Sequence, residues 1–171
     1  MVRVACAALL AWVGLAAPGC ATTATWPHVV SLDEARAAPV RVGAWIDSYE
    51  QALVSIAAIM RDELALPDVR AALQFYPDRA ALRAALEANG YDPELARRTA
   101  ETMMAITGPR RVLINEASLR PLEWPYRVAL LAHELTHTLQ YEWGGGRRGT
   151  SEQWLREGFA EWVEVKVLEA L

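Results

Sequence analysis

Cysteine is almost missing from this chain. There are two, Cys6 and Cys20, and both fall in the first twenty residues. Everything downstream lacks a thiol, which excludes a disulfide framework, a cysteine metal site and a cysteine nucleophile from the body of the protein. Lysine is scarcer still, with Lys166 alone beside 16 arginines. Positive charge is in deficit: 17 basic against 21 acidic residues leave a formal net charge of −4. That balance has no electrostatic footprint for DNA or RNA and excludes nucleic acid as the expected partner. Gly (10) and Pro (9) are few and scattered, so the bulk of the chain is neither fibrous nor low-complexity. No internal repeat is visible. At 171 residues the chain suits one domain with a substantial core.

The longest apolar run, Val4 to Ala17, follows Arg3. It is shorter than the ~20 residues a bilayer span needs, and fits the core of a secretion signal. Small residues then lead to Cys20. Ala17-Pro18-Gly19-Cys20 resembles the bacterial lipobox, in which the Cys is lipidated and becomes the mature N-terminus. The expected organisation is a signal peptide over 1–19, lipidated Cys20 with a tether to residue 40, and a domain over 41–171. The resemblance implies a bacterial envelope lipoprotein, held at the outer membrane facing the periplasm. Cleavage by an ordinary signal peptidase, giving a secreted protein, is the alternative.

Periodicity organises the rest. Trp45, Tyr49, Leu53, Ile56, Met60 and Leu64 recur at helical spacing and predict a helix over 43–65. Val69, Ala71, Leu73 and Phe75 alternate and predict a strand. Pro77-Asp78 starts a helix to about Ala88. Pro93 opens another to about Ile106, ended by Gly108-Pro109. Arg111–Asn115 reads as a second strand. A long helix is expected from Pro125 to Trp143, and Gly144-Gly145-Gly146 ends it. Thr150 and Gln153 have capping-box spacing ahead of a last helix. The expected class is α+β, with a small sheet and two long helices last.

The first of those two helices contains His133-Glu134-Leu135-Thr136-His137. Residues four apart share a helix face, so both imidazoles can reach one metal ion. Glu134 is rotated about 100° from His133 and can stand beside that ion without binding it, as a general base. With 3 His in the chain, chance yields the pattern on the order of 0.005 times, so a zinc site outweighs two core histidines. A third ligand is needed. Glu157 lies on the last helix among Trp154, Leu155, Phe159 and Ala160, and a carboxylate in apolar company needs a partner. Gly158 beside it suggests close helix approach. Glu161, one turn on, is the expected acceptor for a ligand histidine's free N–H.

HExxH followed by a Glu on a separate helix resembles the gluzincin zinc peptidases. Trp154-Leu155-Arg156-Glu157-Gly158-Phe159-Ala160 is similar to the WLNEGFA stretch of the alanyl-aminopeptidase family, and the region from about 43 to 165 to the smaller peptidase MA-like domains. The resemblance implies a zincin-like fold and Zn²⁺ on His133, His137 and Glu157, with Glu134 as base and a peptide or protein as substrate. Nothing matches the stretch with which the aminopeptidases bind a free amine, so that activity is not carried over. The families continue past the Glu helix and use a later Tyr or His to stabilise the tetrahedral intermediate. Here Tyr126, Tyr141, Arg147 and Arg148 are the candidates for that role, unless the domain is C-terminally truncated. The resemblance also implies a strand edge for substrate backbone, and Arg111–Asn115 is the candidate for it. The competing reading is a non-catalytic zinc-binding lipoprotein that acts as an interaction module. Oligomeric state is not legible.

Overall fold

The computed structural model describes residues 26–36 and 46–171. The signal peptide, Cys20 and the start of the tether lie outside the described residues. The first described segment is already part of the fold. Strand β1 (His28–Ser31) runs directly into the single-turn helix α1 (Leu32–Ala35). Val30, Leu32 and Ala35 are buried, and β1 pairs antiparallel with β2 (Ala72–Tyr76), Val30 opposite Leu73. This corrects the tether expectation for residues 28–35. Three apolar side chains, too short a run to show a period, still find the core.

Helix α2 spans Tyr49–Asp62 and buries Leu53, Ile56 and Met60. It starts later than its periodicity suggests because the Ser48 hydroxyl accepts the Gln51 N–H and caps it there. In β2 the alternation holds, with Leu73 and Phe75 fully buried. Helices α3 (Arg79–Ala88) and α4 (Pro93–Thr102) are capped by the carboxylates of Asp78 and Asp92.

Helix α4 does not reach Ile106. It stops at Thr102, and Ala105–Gly108 forms strand β3, antiparallel to β4 (Arg111–Asn115). Gly108-Pro109 is therefore a hairpin turn, with Arg110 at a φ of 56°, and not merely a helix stop. The sheet order is β1-β2-β4-β3, with β2 and β4 parallel. β4 is thus interior, which corrects its expected place at an edge, and β3 is the edge strand beside it.

The single-turn helix α5 (Glu116–Leu119) leads to α6 (Trp124–Trp143). Pro125 sits in the first turn of α6, where its missing N–H costs nothing. Val128, Leu131, Ala132, Leu135 and Leu139 bury one face. Thr136 and Thr138 satisfy their buried hydroxyls on the carbonyls of Ala132 and Leu135. Helix α7 (Gln153–Ala170) begins with Glu152 at its cap and no side-chain cap bond, so the Thr150–Gln153 capping box does not form.

The architecture is α+β. α3 and α4 cover one face of the sheet through Leu82, Leu86, Ala96 and Ala100 against Tyr76 and Leu113. α2, α6 and α7 cover the other, where Leu73, Phe75, Val112 and Ile114 meet Ile56, Leu135 and Val163. Among the described residues no helix is long and apolar enough to cross a membrane.

Candidate metal centre

α6 and α7 form a helical hairpin, and its seam carries the polar side chains that the apolar pattern leaves out. His133 and His137 stand one turn apart on α6 with ring planes at 82°. Their Nε2 atoms are 3.1 Å apart. Glu157, on the second turn of α7, brings one carboxylate oxygen to 3.4 Å from His133 Nε2 and 3.3 Å from His137 Nε2. Among the described residues these are the three that could hold a metal ion together.

The separations test whether an ion fits. Tetrahedral coordination at about 2.0–2.1 Å sets neighbouring ligand atoms roughly 3.3 Å apart. All three observed edges lie close to that value. The back sides of the rings agree. His137 Nδ1 lies 2.9 Å from Gln140 Oε1, while Gln140 Nε2 donates to the Arg156 carbonyl at 2.9 Å. The Gln140 oxygen therefore accepts, and the His137 proton sits on Nδ1. His133 Nδ1 lies 3.3 Å from Glu164 Oε2, which can only accept when ionised. Both Nε2 lone pairs thus point at the same place. Two lone pairs at 3.1 Å repel, and a cation between them converts the repulsion into coordination. The residues present fit zinc, with an N₂O set and room for a fourth ligand.

Glu161 does not take the role expected of it. It is exposed, and Glu164 faces His133 instead. The buried seam of α7 runs through Ala160, Val163 and Val167. Glu161 is one residue past Ala160, about 100° around the helix. Glu164 is seven residues past Glu157, two turns along the same face. Gly158 is likewise corrected: it is exposed and a Cβ there would meet nothing within 4 Å, so it governs no close approach.

Glu134 is nearly buried, at 9% exposure. The Thr107 hydroxyl of β3 donates to its carboxylate and also lies 3.3 Å from its main-chain carbonyl. This contact fixes the carboxylate from the sheet side. Neither Thr107 nor Gln140 was foreseen. Gln140 had a signal, a polar residue one turn after His137 in an apolar helix. Thr107 had none, since it lies 27 residues away on the edge strand.

The centre opens into a cleft of about 470 Å³, within the range of binding clefts. β3, α4 with the residues that flank it, α6, Arg148 of the α6–α7 loop and the start of α7 all line it. Of the four candidates for stabilising an intermediate, Tyr141 and Arg148 line this cleft, whereas Tyr126 and Arg147 do not. Tyr126 is 65% exposed at the far end of α6. Arg156, not foreseen, also lines the cleft, its guanidinium donating to the Ser151 carbonyl. Compared with family models, curated proteins and solved structures, the chain matches none of them.

Proposed function

We propose that the chain is a zincin-like, zinc-dependent peptidase, tethered to the bacterial envelope through lipidated Cys20. The observation that carries the reading is the set of three donor atoms 3.1–3.4 Å apart, with both rings oriented from behind by acceptors. His133, His137 and Glu157 would hold the ion. When bound, zinc supplies Lewis acidity that polarises a peptide carbonyl and acidifies water.

The remaining work belongs to the chain. Glu134 accepts a proton from the attacking water and delivers it to the leaving amine. Thr107 keeps that carboxylate in place, so its basic oxygen does not rotate away. The outer edge of β3 offers main-chain N–H and C=O groups to an extended peptide. Tyr141, one turn beyond His137, brings a hydroxyl to the cleft for the negative charge that develops on the carbonyl oxygen. A metal site that served structure alone has no use for a carboxylate gripped beside its ligands and left unliganded.

The test is metal content and hydrolysis of the full-length protein. Wild type is expected to carry one zinc per chain and to cleave casein. Glu134→Gln is expected to keep the zinc and lose about 10²–10⁴-fold in rate. Zinc-loaded wild type with no more hydrolysis than Glu134→Gln overturns the enzyme reading. Partition of the same preparation into a detergent phase supports the tether, and a water-soluble mature form removes it.

A further inference from the structure

Helix α4 has three faces. Ala96 and Ala100 pack on the sheet. Glu94, Arg97 and Glu101 pair with each other in solvent. The third face carries Leu95 and Thr99, and they line the cleft together with Tyr91, which precedes the helix, and Met103, which ends it. Leu95 is 44% and Met103 54% exposed. The fold does not use these side chains: the alanines beside them make the packing contacts. Ile106 of β3 adds to the apolar surface of the cleft. Arg148 also lines the cleft, a cation with no ion-pair partner among the described residues. Arg156, by contrast, is bonded to the Ser151 carbonyl.

We infer that the cleft selects an extended peptide that lays a bulky apolar side chain on the Leu95–Met103 wall and presents a carboxylate to Arg148. The inference rests on the peptidase reading and names its substrate class. The apolar stripe supplies affinity by removing side-chain area from water. The unpaired guanidinium supplies the charge complement. The free edge of β3, whose residues also line the cleft, would hold the backbone. The carboxylate comes either from an acidic side chain or from a peptide C-terminus.

The experiment measures binding of fluorescein-labelled octapeptides to full-length, zinc-loaded Glu134→Gln, which does not consume them. One peptide carries Phe and Glu with an amidated end. Others replace Phe by Ser, replace Glu by Gln, or replace Glu by Gln while leaving the C-terminus free. Phe→Ser is expected to weaken binding about tenfold or more. Adding Leu95→Asp or Met103→Asp to the protein should abolish that difference. Replacing Glu by Gln should weaken binding about threefold, the scale of an exposed ion pair, and Arg148→Gln should erase the effect. Recovery by the free C-terminus assigns the carboxylate to a chain end, and its failure assigns it to a side chain. Equal binding of all four peptides, or a preference untouched by Leu95→Asp and Met103→Asp, overturns the inference. If zinc is then present and casein is cleaved, the peptidase reading stands without it. If no zinc is bound, the peptidase reading falls first.

Discussion

The two nitrogens of His133 keep different company: Nε2 faces Glu157, and Nδ1 faces Glu164. A carboxylate behind a ligand imidazole fixes its tautomer and raises its basicity. Glu164→Gln should therefore weaken zinc binding by about 10–100-fold in a competition titration against a chelating dye. Glu161→Gln should leave the affinity unchanged, because Glu161 points into solvent. Equal effects of the two substitutions would show that net charge, and not the oriented contact, sets the affinity. At this scale the meeting of His133 and His137 was legible because helix geometry brings positions four apart to one face, and Glu157 stood out as a carboxylate among apolar neighbours. The partner behind His133 was not. Glu161 and Glu164 both lie close to the Glu157 face, and only the seam drawn by Ala160, Val163 and Val167 separates them.

At the scale of elements, the α6–α7 turn decides where Glu157 sits. Gly144 ends α6, and a Cβ added there would fall 2.4 Å from the Arg147 carbonyl oxygen. That neighbour is backbone, so the loop itself must shift. Gly144→Ala should cost about 1–3 kcal/mol in chemical denaturation and weaken zinc binding as α7 is displaced. Gly158→Ala is the contrast. Its surroundings are open and glycine inside a helix costs about 1 kcal/mol relative to alanine, so this change should leave the protein as stable or more so. The long helices were readable from their apolar period, and β4 from a short apolar run just after Gly108-Pro109. The short strands were not. Ala105 and Ile106 continue the period of α4 closely enough to read as its last turn. β1 is four residues with two of them exposed, which leaves no alternation to see. Strand pairing supplies what the local pattern lacks.

Across the whole molecule, the proposed metal and the fold would be linked. An ion bound by the native state alone stabilises it by an amount that grows with the logarithm of free ion, about 4 kcal/mol at a thousandfold excess over Kd. Chelation should thus lower the melting temperature by roughly 10 °C for a chain of this size, and zinc should restore it. An unchanged transition would mean that the three donors do not bind an ion tightly in solution. The class of the fold was visible from the sequence, and the faces of the sheet were not, because they depend on β3 closing beside β4.

The three proposed donors and the proposed base depend on different numbers of elements. His133, His137 and Glu157 all belong to the α6–α7 hairpin, whereas the Thr107–Glu134 contact also needs the edge strand β3 in place. Edge strands carry one row of neighbours fewer and open locally at lower cost than the interior. A local opening of β3 would release the Glu134 carboxylate from Thr107 and leave the three donors together. The hold on the carboxylate is thus separable from the donor set.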